Sequence, residues 1–416
     1  MVIDFGEHAF YNIGMTGVSD GALAKLAFLS DDMQLEVDET PAPPDRPFTL
    51  AGSDACPSTP APAQEVDEGL PIHMAALPNG KRTPLLKTLV TSACERNCYY
   101  CPFRAGRDMR RVTFKPDELA GLVVDLTQRN VIKGAFLSSG MIGGGLKTQD
   151  KLLDTAEILR TKRGYRGYLH LKIMPGAEPA QIERAMRLAD RVSVNLEAPN
   201  PKRLSMLAPQ KLMMEELLQP LRVVEQIRQT QPGHLGWNGR WPSTTTQFVV
   251  GAVGESDLEL LQTAEYLYRK LRLARTYFSG FAPVRDTPFS EMPAVNPWRE
   301  HRLYQASFLL RDYGFSLEEM PFLDGGDLPL EEDPKQAWAR LNLSQAPLDV
   351  NRAERQDLLR IPGIGPRGAQ AILNARVRGS RLRSLNDLKA LGIYTKRAAP
   401  FIVLDGHRPP SQPALF

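Results

Sequence analysis

No run of eighteen or more apolar residues occurs in the 416-residue chain, so a membrane-spanning helix is not expected. The first residues carry Asp4 and Glu7 and lack a basic stretch followed by an apolar core, which argues against a secretory leader. Cysteine is scarce. Of four, three are clustered and Cys56 stands alone in a proline-rich stretch, so a disulfide framework is excluded. This usage suits a reducing compartment, and a cytoplasmic location without membrane partners is expected. Histidine is also sparse, and neither His73 nor His170, the histidines nearest the clustered cysteines, stands at a paired metal-ligand spacing.

What is present reads as an ordinary globular chain, 42% apolar and 24% charged, long enough for one large domain with one or two small ones. The net charge of +3 conceals an asymmetry. Residues 351–408 hold twelve Lys and Arg against four Asp and Glu, a net +8, which leaves −5 on the remainder. A basic tail on an acidic body points to a polyanion partner for the tail, with a solvated basic face as the plain alternative.

The chain divides by composition. Residues 1–35 contain one amphipathic helical stretch, GALAKLAFLSDDM, and 36–80 are expected to be a flexible linker rich in proline and acid. Over 81–315 apolar strand-like runs alternate with helical-period segments: LLKTLVT, KGAFLSS, YLHLKI, RVSVNL, TTQFVV and ARTYFSG mark six strands. Six strand–helix units with short connections imply an α/β fold with a parallel sheet that closes toward a barrel. Loops after such strands line the active face. Residues 316–348 form an acidic connecting segment, and 349–408 become helical and basic.

Directly after the first strand stands Cys94-Glu-Arg-Asn-Cys98-Tyr-Tyr-Cys101. Three thiolates on one loop can hold three irons of a 4Fe-4S cluster and leave the fourth open to a small ligand. Zinc is a rival, although a structural zinc site takes four protein ligands. An incidental group of thiols is the other, and Cys56 reads as an inert thiol, with a fourth ligand or a redox thiol as its alternative.

Cys94, Cys98 and Cys101, with Tyr100 before the third cysteine, resemble the Cys-x3-Cys-x-aromatic-Cys motif of radical S-adenosylmethionine enzymes. The resemblance implies a partial (β/α)6 TIM-like barrel, a 4Fe-4S cluster and S-adenosylmethionine as cofactors, and an electron donor such as flavodoxin or ferredoxin. It also implies that the methionine end of the ligand chelates the open iron, and that a 5′-deoxyadenosyl radical abstracts hydrogen from a substrate. Ser139 and Gly140 hold the place of the family's Gly-Gly-Glu motif, without its acid. Lys172 is placed to meet the methionine carboxylate, Asn195 and Glu197 the ribose hydroxyls, and Gly251 and Val253 the adenine. Each polar strand end also has a plain reading as a local cap or salt bridge, and Gly254-Glu255-Ser256-Asp257 reads equally as a helix cap. Trp237 and Trp241 can stack on a substrate base or simply pack their loop.

In the tail, LLRIPGIGPRGAQAIL reads as helix, hairpin and helix, where Gly363 and Gly365 permit a tight turn and expose amides beside Arg367. It resembles the helix-hairpin-helix motif of DNA-binding proteins, and a weaker copy carries Gly392 with Lys396 and Arg397. This implies a small all-α C-terminal domain that holds DNA by its phosphates without reading sequence. A hairpin used for protein contact or packing is the alternative. Barrel and tail together resemble the radical S-adenosylmethionine proteins assigned to DNA modification or repair, from about Thr83 to Val403. The expected function is radical chemistry on a DNA base or sugar. An RNA-modifying radical enzyme is a second reading, and a non-catalytic iron–sulfur redox sensor that binds DNA is a third.

Overall fold

The computed structural model describes residues 20–33, 70–76 and 82–410. Cys56 and most of the 36–80 segment lie outside the described residues. The chain separates into two compact units, one comprising among its described residues 20–33, 70–76, 82–255 and 269–295, the other 256–268 and 296–410.

The first unit is built on a seven-stranded sheet whose spatial order follows the chain. Strands β2 (Arg82–Leu89), β3 (Gly134–Ser138), β4 (Tyr168–Lys172), β5 (Arg191–Ser193), β6 (Ser243–Val250) and β7 (Arg275–Gly280) run parallel. Six parallel strands agree with the six apolar runs. The seventh, β1 (Ile72–Ala76), pairs antiparallel with β2 and lies inside the segment expected to be linker. Five residues with little amphipathic contrast give no signal alone, and this strand forms because β2 offers it an open edge.

Helices α2 (Pro116–Gln128), α3 (Gly144–Glu157), α4 (Pro179–Leu188) and α6 (Gln219–Thr230) cover the sheet in the connections between parallel strands. Burial on that face explains the fully covered Leu86, Leu137, Leu169, Leu171 and Val192. The helix α1 (Asp20–Met33) coincides with the predicted amphipathic stretch, and Lys25 pairs with Glu118 of α2 at 2.7 Å. The fourth parallel strand is shorter than its sequence run. After Ser193 the chain bends, and Glu197 makes only an isolated bridge to Phe248.

In the second unit the acidic connecting segment is not a bare linker, because it contains α9 (Pro334–Asn342). The same unit includes α8 (Pro297–Asp312). One core, including Leu358, Ile361, Ile364, Ile372, Leu388 and Phe401, gathers α9, α10 (Arg355–Arg360), α11 (Pro366–Val377), α12 (Leu385–Ala390) and α13 (Thr395–Ala398). The region is helical apart from one parallel pair of two-residue strands, β8 (Leu348–Asp349) and β9 (Ile402–Val403), which ties its two ends together.

Candidate active site

The cysteine loop leaves the carboxyl end of β2 and is closed at its base. Ser92 N donates to Val112 O at 2.9 Å, Val112 N donates to Ser92 Oγ at 2.9 Å, and the Thr91 and Thr113 hydroxyls bond at 2.7 Å. Inside the loop the Arg111 guanidinium donates to four carbonyls, those of Ser92, Phe103, Arg104 and Arg107. A planar fork with five donors suits this role better than any other side chain.

Two neighbouring loops grip the same segment. Glu95 accepts from Gly143 N and Gly144 N, each at 3.0 Å, so the amides at the start of α3 are satisfied by a residue next to Cys94. On the other side Tyr99 N donates to Leu207 O at 2.9 Å, at the end of α5 (Pro201–Leu207). Arg96 donates to Gln210 O and pairs with Glu216 at 2.5 Å. Gly140 lets β3 approach from below, since a Cβ there would meet Ala93 O at 2.3 Å. No side chain fits at that crossing.

Cys94, Cys98 and Cys101 are not joined in disulfides, and all three line one cavity with Tyr100, Ser139, Gly140, Lys172, Asn195 and Glu197. Lys87 on β2 and Ser279 on β7 line it as well, so the sheet curls around it. Among the described residues no three His, Cys, Asp or Glu stand together closely enough to hold a single metal ion. Thiolates on one zinc lie about 3.8 Å apart, given bonds of about 2.3 Å, whereas thiolates on three separate irons do not share that constraint. Cys101 Sγ already accepts from Phe103 N at 3.4 Å, the kind of bond that supports a cluster thiolate. Ser139 Oγ is buried and has no hydrogen-bond partner among the described residues. A buried hydroxyl beside a cavity is suited to a polar ligand. The chain's residues therefore fit a three-cysteine cluster with a polar ligand next to it.

The charges alternate. Glu197 is bonded to Lys211 at 2.8 Å and shares the cavity with Lys172. Burial alone would raise the Glu197 carboxyl, but Lys211 and then Lys172 outweigh it and hold the group below the usual carboxylate value. Burial pulls Lys211 down, yet the charges of Cys98 and Glu197 raise it above an ordinary lysine. Tyr100 is pushed well up by burial and then by the Glu197 charge, so its hydroxyl keeps its proton. Burial also raises Cys98, with Lys211 opposing.

Glu197 also carries backbone strain. Its φ is 65°, a left-handed conformation that costs a non-glycine residue roughly 1–3 kcal/mol. Two bonds to β6 keep it there, from Glu197 N to Gln247 O at 3.0 Å and from Val249 N to Glu197 O at 2.8 Å.

Gly251 and Val253 are not among the residues that line the cavity. Their amides donate to the Glu255 carboxylate, Val253 at 3.2 Å. The helix-cap reading of the stretch is met at Ser256, whose Oγ accepts from Glu259 N at 3.2 Å while Ser256 N donates to Glu259 Oε2 at 2.9 Å. Lys211 and Gln247 were not among the candidates from sequence. Gln247 accepts from Asn195 Nδ2 at 3.3 Å, and its alternation along β6 could have suggested an inward position. Lys211 carries no such signal. Trp237 packs its loop: Arg160 lies over its ring at 3.9 Å, and Trp241 Nε1 donates to Gln231 O at 3.3 Å. That loop precedes β6, at the end of the strands opposite the cysteine loop.

In the second unit Gly363 has φ 82°, and a Cβ there would meet Tyr394 O at 2.4 Å. Tyr394 N donates to Gly363 O at 3.3 Å, so the turn between α10 and α11 sits directly against the turn between α12 and α13. Gly365 precedes α11, Arg367 and Lys396 are exposed, and Arg397 pairs with Asp333 at 3.4 Å.

No protein-family model and no curated protein matches the chain. Among solved structures it is similar to the FeFe-hydrogenase maturase HydG from Carboxydothermus hydrogenoformans, at 16% identity and TM-score 0.44 over 55% of this chain and 51% of that one. Methylornithine synthase PylB is similar at 11% identity and TM-score 0.44, over 55% and 61%. The radical S-adenosylmethionine methyltransferase TsrM from Kitasatospora setae is similar at 16% identity and TM-score 0.36, over 52% and 39%. The chain thus spans about half the length of HydG. TM-scores of this size mark a partial likeness, and the reading of the site rests on its own residues.

Proposed function

We propose that this protein is a radical S-adenosylmethionine enzyme that acts on DNA, modifying or repairing a base or sugar. One observation carries the enzymatic part: three cysteines on a braced loop share a single cavity with Ser139, Lys172, Asn195 and Glu197. Cys94, Cys98 and Cys101 would hold three irons of a 4Fe-4S cluster. The cluster and its S-adenosylmethionine ligand supply a 5′-deoxyadenosyl radical after one-electron reduction by a donor such as flavodoxin or ferredoxin.

The chain's own residues bind and orient. Lys172 offers a cation to a carboxylate, and the Ser139 hydroxyl accepts from an amino group in place of an acid. The Asn195 amide, already aligned by Gln247, presents its remaining polar groups to ribose hydroxyls. Tyr100 keeps its proton and can donate to Glu197.

The DNA part is supported by the second unit: two tight glycine turns at Gly363 and Gly392, exposed Arg367 and Lys396, and the +8 charge of residues 351–408. Adjacent turns of this kind resemble a paired helix-hairpin-helix, which holds phosphates without reading bases. Arg397 is expected to act mainly within the protein, since Asp333 engages it.

The test is anaerobic. Reconstituted, reduced protein should convert S-adenosylmethionine to 5′-deoxyadenosine, and Cys98→Ala should abolish this while leaving DNA binding intact. Absence of cleavage with DNA and with RNA present would refute the enzymatic reading. Mass spectrometry of nuclease-digested DNA and RNA after reaction then identifies the substrate, and a product found only in RNA transfers the activity to that polymer.

A further inference from the structure

We infer that the buried Glu197–Lys211 pair is an electrostatic device that sets how readily the three-cysteine centre accepts an electron, with Lys211 as a positioning residue and Glu197 as its counter-charge. This rests on the reading that Cys94, Cys98 and Cys101 hold a 4Fe-4S cluster.

Lys211 reaches the cavity from a segment outside the strands, between α5 and α6. That segment is tied to the cysteine loop by Tyr99 N to Leu207 O, by Arg96 to Gln210 O and by Arg96 to Glu216. Where the cysteine loop goes, Lys211 goes with it. The side chains of Lys211 and Glu197 are only 11% and 5% exposed, and both line the cavity that the three cysteines line. Glu197 is held by two bonds to β6, which keep its strained backbone in place.

A carboxylate buried beside a thiolate-bound centre opposes the arrival of an electron, because each added negative charge is weakly screened there. A nearby lysine opposes that effect, and charge close to a cluster is among the levers that move its potential. Lys211 bonds the Glu197 oxygen Oε1, and the bonded pair lines the same cavity as Cys98 and Cys101. The electron comes from an external reductant, and no bond or proton needs to move.

A purely structural pair would hold the loop without moving the potential in a signed way. The two roles separate in an electron paramagnetic resonance titration with dithionite and mediators, on reconstituted full-length protein without S-adenosylmethionine. Glu197→Gln should favour the reduced state at least tenfold, 59 mV upward for a one-electron couple. Adding Lys211→Met to it should return the equilibrium to within threefold of the parent. Equal potentials in Glu197→Gln and the double variant overturn the inference. Should Glu197→Gln fail to retain iron, Lys211→Arg should keep the parental potential and Lys211→Gln should disfavour reduction tenfold; equality of those two overturns it as well. Parent protein that binds iron and sulfide but shows no 4Fe-4S signal sinks the underlying reading, and the inference with it.

Discussion

Lys335, on α9, is a buried amine in the second unit and donates at 2.6 Å to Ile364 O, in the turn that joins α10 to α11. Burial lowers its pKa to about 7, with Asp333 opposing and Arg397 adding to the fall. A lysine depressed in the folded state binds fewer protons there than in the unfolded chain, so stability rises with pH from about 7 up to the unfolded value of about 10.4. Below pH 7 both states are charged and the contribution is flat. Urea midpoints of this unit should therefore climb between pH 7 and 9, and Lys335→Met should remove that climb; an unchanged slope in the variant would contradict the assignment. Sequence placed this lysine in an acidic connecting segment, because nothing in DPKQAW announces burial. The three cysteines were legible for the opposite reason: their spacing is local. Lys211 was not, since its partner Glu197 stands fourteen residues away and only the fold closes that gap.

At the scale of elements, the cysteine loop is a long excursion in which four carbonyls converge on one arginine. Arg111→Lys replaces a fork that spans four carbonyls with a compact ammonium that cannot reach them together. The expected loss is on the order of 2 kcal/mol of stability, from charged hydrogen bonds left unmade. Iron and sulfide per chain after reconstitution should fall by more than half, whereas an unaltered iron content would show that the cysteines hold the loop unaided. The parallel strands were readable because burial on both faces writes them as apolar runs. The edge strand Ile72–Ala76 was not, because its pairing depends on β2. The fourth strand ends at Ser193, short of its run, and hydropathy gives no sign of the left-handed backbone at Glu197 that follows.

For the whole molecule the decisive property is uneven charge. With +8 on residues 351–408, the tail should bind DNA by displacing counterions rather than by reading bases. Replacing both Arg367 and Lys396 with Glu removes two expected phosphate contacts. The slope of log Kobs against log salt should then flatten by about 1.8, with affinity falling equally on unrelated duplexes. A slope that stays the same in fluorescence anisotropy titrations would make the tail a protein-contact domain. No helix among the described residues is long and apolar enough to cross a membrane, in line with the absence of long apolar runs.

By itself the sequence determined the features written in neighbouring residues: the cysteine spacing, the period of strands and helices, the glycine turns and the basic tail. Each depends on contacts a few residues apart, so a linear reading suffices. The tertiary structure alone decided which polar groups meet in the cavity. It brought Lys211 to Glu197, left Ser139 Oγ buried without a hydrogen-bond partner among the described residues and turned Glu255 onto the amides of Gly251 and Val253. Burial and long-range charge set those outcomes, and neither is a property of local sequence.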